Sequence, residues 1–177
     1  MIGNDIIDRR AIRERSQEHW DRFREKTMTK AEQELLATYR EDQLDIWLAW
    51  AIKESVYKLE YQLCPERYFA PRSIEVLALN RAKGKLDAYE IDLEWNKDYI
   101  HALTWLSLKS QPQKWIFQKG KTKLDTRILT QLETTFPQRN FNLIQEVFPR
   151  INVDHEVLWP LSKSHHGRWE AFVYHTA

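Results

Sequence analysis

The run Trp50-Ala51-Ile52-Lys53-Glu54-Ser55-Val56-Tyr57-Lys58 places one carboxylate and two ammonium groups within nine residues. Glu54 and Lys58 stand four apart, so on a helix they share a face, with the glutamate leading. Such pairs stabilise exposed helices by about 0.2–0.5 kcal/mol and are common, so spacing alone supports no more than a surface ion pair. The surroundings argue for more. Trp47, Trp50 and Tyr57 put aromatic bulk beside the pair, so this helix cannot face solvent all round. A site of this kind could hold Mg²⁺ through Glu54 and a phosphate through Lys53 or Lys58. Mg²⁺ takes one or two carboxylates and fills its octahedron with phosphate oxygens and water. A second carboxylate is needed to complete it.

The helix that must carry these groups is the clearest element in the chain. From Gln43 to Gln62 the apolar positions Leu44, Trp47, Leu48 and Ala51 recur at helical spacing without Gly or Pro, and Pro65 ends the pattern. Upstream, about Asp8 to Glu25 reads as a mixed-charge helix. Thr29-Lys30-Ala31-Glu32 is a capping box that opens a further helix to about Tyr39. After Pro71 the pattern turns to strands at Ser73 to Leu79, Leu86 to Leu93, Tyr99 to Leu108 and Trp115 to Gln118. Lys123 to Phe136 reads as one more helix, and the turn signal His166-Gly167 introduces a last strand from Arg168 to His175. The expected class is α+β, with N-terminal helices packed on an antiparallel sheet.

The 177 residues suit one domain, 1–177, long enough to bury a core without disulfide or metal staples. Eight Trp and a hydrophobic fraction of 42% exclude a disordered chain. Cys64 is the lone cysteine, which excludes an internal disulfide and a cysteine-based zinc site and fits a reducing, cytoplasmic compartment. The N-terminus lacks a leader pattern and no stretch approaches the ~18 uncharged residues of a membrane span, so export and insertion are not expected. Four glycines leave no room for a Walker loop or a flexible linker, and no internal repeat is detectable. A net charge of +1 gives no ground for a nucleic-acid partner, although Arg9, Arg10, Arg13, Arg15, Arg22 and Arg24 cluster near the start.

Several segments together resemble the 4′-phosphopantetheinyl transferases. Trp50 to Lys58 is similar to that family's W-x-x-K-E-[SA]-x-x-K signature, and Ile2-Gly3-Asn4-Asp5-Ile6-Ile7 resembles its G-x-D-I-[VI] opening. Phe23 through Glu32 is similar to F-x-x-R-x-x-T-x-x-E, with Lys26 where arginine is usual. Ser73-Ile74-Glu75-Val76 followed by Gly84-Lys85 resembles the strand and turn after the signature helix. Leu161-Ser162-Lys163-Ser164-His165-His166 resembles the family's S-x-S-H-[DS] strand end. An aspartate at the extreme N-terminus with a glutamate about fifty residues later is the layout of the short acyl-carrier-protein synthase type. Against that type, about 94–141 is an extra segment, and Asp8 and Ala11 stand where glutamate and arginine are usual.

The resemblance implies a Mg²⁺-dependent enzyme that moves 4′-phosphopantetheine from coenzyme A to a serine of an apo carrier protein and releases 3′,5′-ADP. It makes Asp5 and Glu54 the metal ligands and Glu54 and Lys58 the catalytic pair. Lys26, Lys53, Lys85, Ser164 and His165 become contacts to coenzyme A. The serine proton would go to Glu54 or to a water on the metal, and the residues leave both open. Each contact also has a plainer reading: Lys26 and Lys85 as solvated lysines, Lys53 as helix support, and His165-His166 beside Gly167 as a polar turn. The implied partner is an acidic acyl or peptidyl carrier protein. The synthase layout points to fatty acid biosynthesis, while the residues leave polyketide and peptide-synthetase carriers equally open. Arg10, Arg13 and Arg24 are expected to meet that carrier, since arginine offers carboxylates a planar fork of donors. The short type shares its coenzyme A site between subunits of a homotrimer, which makes an oligomer the expectation here; the extra segment could instead build the missing wall within one chain. Two other readings stand beside this one. The first is another Mg²⁺-dependent phosphoryl or nucleotidyl transferase using Asp5, Glu54 and Lys58. The second is a non-catalytic adaptor whose arginine-rich first helix binds an acidic protein.

Overall fold

Gly3 explains how the chain begins. Ile2–Asp8 forms β1, buried along its whole length. A Cβ on Gly3 would lie 2.0 Å from the Ser55 carbonyl oxygen of the helix α3, Leu44–Tyr61. Only glycine lets strand and helix approach so closely. The computed structural model describes residues 1–65, 68–106, 112–145 and 149–176. Before α3 come α1 (Gln17–Thr27) and α2 (Lys30–Leu35), which join it in one core of Trp20, Met28, Leu36, Ile46, Ile52 and Val56.

Four strands follow α3: β2 (Glu75–Ala78), β3 (Arg81–Gly84), β4 (Asp87–Trp95) and β5 (Tyr99–Trp105). They form a meander whose last strand returns beside the first, giving an antiparallel sheet of order β1-β5-β4-β3-β2. Asp5 faces Ala102 across the β1–β5 register, and Ser55 of α3 bonds Thr104 of β5 at 2.5 Å.

The remaining elements repeat this plan. They are β6 (Gln113–Gln118), α4 (Leu124–Thr135), β7 (Phe141–Ile144), β8 (Arg150–Val153), β9 (Val157–His166) and β10 (Trp169–Tyr174). Their sheet order, β6-β10-β9-β8-β7, is that of the first sheet with each strand advanced by five. Each unit is a strand, a helical crossing and a four-stranded meander that closes on the first strand. Ile128, Leu132, Phe141, Trp159, Phe172 and Tyr174 form the second core. The stretch 94–141 is therefore the end of the first unit and the opening strand and helix of the second.

The α+β class stands, and α3, β5, β6, α4 and β10 lie close to their expected spans. Ser107 and Leu108, expected to end β5, lie outside the described residues. The expected helix from Asp8 to Glu25 is corrected. Asp8 ends β1, Arg9–Ala11 is a single 3₁₀ turn capped by the Asp8 carboxylate, and α1 starts only after Ser16, whose hydroxyl caps the His19 amide. Charged residues between Arg9 and Arg15 supply no apolar stripe to hold a helix there. The capping box is present in both directions, but α2 ends at Leu35 and a 3₁₀ turn covers Ala37–Tyr39.

Candidate active site

Three elements meet where the two units touch. From β1 comes Asp5, from α3 come Glu54 and Lys58 one turn apart, and from β9 comes Ser164. Lys58 Nζ lies 2.8 Å from Asp5 Oδ1 and 3.5 Å from Glu54 Oε1, so one ammonium joins both carboxylates. Ser164 Oγ donates to Asp5 Oδ1 at 3.1 Å and accepts from Lys58 Nζ at 3.2 Å. Asp5 is the buried member, its side chain 7% exposed against 29% for Glu54. Burial pushes the Asp5 carboxyl up to about 6, against the pull of Lys58, and the Glu54 charge adds to the rise. Two carboxylates thus face one ammonium, an arrangement that would attract a further cation. These groups line a cleft of about 310 Å³ with Trp47, Trp50 and His165.

The second unit holds β1 in place without backbone pairing. On the outer edge of β1, the amide of Asn4 donates to Ser162 Oγ at 3.1 Å and that of Ile6 to Ser164 Oγ at 3.1 Å. The Asp8 amide donates to His166 Nδ1 at 2.9 Å. Alternate side chains of β9 thus satisfy alternate amides of a strand running parallel to it. The β9–β10 turn closes the seam. Arg168 donates to Asp8 from its backbone N at 2.8 Å and from its guanidinium at 2.9 Å. Gly167 adopts φ of 54°, and a Cβ there would lie 2.5 Å from Asp8 Oδ2. Hydrogen bonds from Arg168 hold the Asp8 carboxyl down to about 2.

The structure brings together Asp5, Glu54, Lys58, Ser164 and His165, and it separates the other expected contacts from them. Lys53 is fully buried, paired with Glu32 at 2.7 Å, and donates to the carbonyls of Pro71 at 2.9 Å and Ile74 at 2.6 Å. All three Lys53 protons are engaged there, so its plainer reading as helix support matches its surroundings. Lys26 on α1 and Lys85 after β3 are exposed and line no part of the cleft. Arg24 is corrected as a docking residue: it is buried in a fork with Asp45, Nε to Oδ2 at 2.7 Å and Nη2 to Oδ1 at 3.3 Å. Arg10, Arg13 and Arg15 are exposed and line a neighbouring cleft of about 610 Å³. A smaller hollow lined by Trp20, Phe23, Trp47 and His166 joins the two.

Lys163 and His166 also line this cleft, and Ser162 bonds β1; none of the three was named from the sequence as a candidate site residue. For Ser162 and His166 the signal is the alternation of polar residues at 162, 164 and 166, which marks one strand face; Lys163 lies on the other face and bonds Asp125 and Gln145. Among the described residues no group of three or more His, Cys, Asp or Glu gathers as a metal site. Two carboxylates suffice for Mg²⁺, whose remaining ligands come from water and phosphate. The donor set here is two carboxylates with hard oxygens, and no hydrogen bond from a described residue engages Asp5 Oδ2.

A family model described as the 4′-phosphopantetheinyl transferase superfamily matches residues 1–115. That match contains the first unit with Asp5, Glu54 and Lys58 and ends before β9. No curated protein and no solved structure matches the chain.

Proposed function

Since the chain belongs to the 4′-phosphopantetheinyl transferase superfamily and is a transferase that takes coenzyme A, we propose that it moves 4′-phosphopantetheine onto a serine of an acidic carrier protein, with Mg²⁺, releasing 3′,5′-ADP. The observation that carries this reading is the single ammonium of Lys58 joined to Asp5 and Glu54 on the wall of an open cleft.

Asp5 and Glu54 would hold Mg²⁺, which when bound neutralises pyrophosphate charge and orients it for attack. The carrier serine Oγ attacks the β-phosphorus, and the bond from that phosphorus to the bridging oxygen breaks. The electron pair stays on 3′,5′-ADP. Glu54, the more exposed carboxylate, takes the serine proton. Lys58 Nζ donates to the bridging oxygen as its charge grows, a role worth most in the transition state. His165 lies on the cleft wall where an anionic substrate oxygen would rest.

Both walls of the cleft come from one chain, which supports a working monomer in place of the expected homotrimer. Arg10, Arg13 and Arg15, next to the cleft, suit an acidic carrier. No helix among the described residues is long and apolar enough to cross a membrane. Together with the lone cysteine, the reading is of a cytoplasmic enzyme. Calorimetry with coenzyme A and Mg²⁺ tests the proposal. Binding that requires Mg²⁺ is expected. Tighter binding of another nucleotide would point to a different transferase, and no binding of either to an adaptor.

A further inference from the structure

Ser164 has no bonding capacity left for a substrate. A serine hydroxyl offers one donor and two acceptor positions. Here the proton goes to Asp5 Oδ1 at 3.1 Å, and the lone pairs take the Ile6 amide at 3.1 Å and Lys58 Nζ at 3.2 Å. The residue is 4% exposed. We propose that Ser164 is a positioning residue: it fixes the Asp5 carboxylate and the Lys58 ammonium in one orientation, and it does not touch coenzyme A.

Asp5 Oδ1 is held between Ser164 and Lys58, which leaves Oδ2 as the oxygen free to bind a cation. Without the hydroxyl, the Asp5 carboxylate can turn about its own axis, and Lys58 can fold over both oxygens. Ser162 supplies an internal comparison. It makes the same kind of bonds one rung along, accepting from the Asn4 amide and donating to Asn4 Oδ1 at 3.1 Å, and neither bond goes to Asp5 or Lys58. A purely structural role for the seam would make the two serines equivalent.

The inference rests on the transferase reading for Asp5 as a metal ligand, so the test begins with metal binding. Mn²⁺, which replaces Mg²⁺ on oxygen ligands, is titrated by electron paramagnetic resonance against the full chain, with and without coenzyme A. Ser164→Ala is expected to weaken Mn²⁺ by about tenfold or more, in the range seen when groups that orient metal ligands are removed. Coenzyme A affinity should stay within about threefold. Ser162→Ala should leave Mn²⁺ affinity unchanged, and Ser164→Thr, which keeps the hydroxyl, should restore it. If the alanine variant fails to fold, Ser164→Cys keeps the volume and weakens the bonds, and the same Mn²⁺ loss is expected. The proposal is overturned if Ser164→Ala lowers coenzyme A affinity tenfold with Mn²⁺ binding intact, if Ser162→Ala loses as much Mn²⁺ affinity, or if the wild type binds no Mn²⁺. A wild type whose Mn²⁺ affinity depends on Ser164 but which transfers nothing would leave positioning standing and remove the transferase reading.

Discussion

Lys58 is the residue on which rate should depend. Its ammonium balances the charge that burial makes unfavourable on Asp5, and the proposed reaction hands the same group to the leaving oxygen. Charge grows there only towards the transition state. Lys58→Ala is therefore expected to lower kcat about a hundredfold or more, as when a single preorganised donor is removed, with little change in KM for coenzyme A. Steady-state kinetics would reject this if KM rose and kcat held. Asp8 makes a different prediction, about stability. Its carboxyl sits at about 2, below its ordinary 3.8, because Arg168 bonds its charged form. That contribution is complete above 3.8 and is lost as pH falls towards about 2. Denaturant unfolding across that window should show a slope that Asp8→Asn flattens; equal slopes would show that Arg168 does not stabilise the fold through Asp8. The Glu54–Lys58 pair was legible because a helix fixes the geometry of residues four apart. Ser164 reaches Asp5 and Lys58 across 159 and 106 residues, so no local pattern could assign its bonds.

At the scale of elements, α2, α3 and the segment leading into β2 are tied by one buried ion pair. Glu32 accepts the Thr29 amide at 2.6 Å as a capping glutamate, accepts the Val76 amide at 2.7 Å, and pairs with Lys53 at 2.7 Å. Burial favours the neutral form of Lys53, and Glu32 offsets that. Removing either partner leaves an uncompensated buried charge, so Glu32→Ala and Lys53→Ala should each destabilise by about 3–5 kcal/mol. The folded fraction should bind coenzyme A normally. A folded Lys53→Met protein with coenzyme A affinity down tenfold would show instead that Lys53 binds phosphate. The capping box was readable because both its bonds lie within four residues, whereas its ties to Lys53 and Val76 depend on the fold. Strands were harder. β1 is buried on both faces and carries Asn4, Asp5 and Asp8, so it shows no alternation. β3, β7 and β8 have four residues each, and β9 contains Pro160.

The whole molecule is two units with one wiring and different contents. The helix of the first, α3, buries eleven residues and carries the proposed catalytic pair; that of the second, α4, buries Ile128 and Leu132. Shared topology with unshared side chains is invisible to a search for repeated residues, which is why 94–141 read as an addition. The second unit gives the first a wall, and it leaves the exposed arginines beside the cleft mouth. Charge reversal at Arg10 and Arg13 should raise KM for an acidic carrier several-fold and spare coenzyme A binding. Added salt should imitate this effect by screening. If carrier KM ignores both, the carrier docks elsewhere. The central claim is tested most directly by intact-mass analysis of apo carrier proteins incubated with coenzyme A, Mg²⁺ and the monomeric fraction of this chain isolated under light scattering. One phosphopantetheine should be added to the carrier serine, and folded Asp5→Ala and Glu54→Ala proteins should add almost none. Unchanged mass on fatty-acid, polyketide and peptide-synthetase carriers alike, or undiminished transfer by either variant at low Mg²⁺, would contradict it.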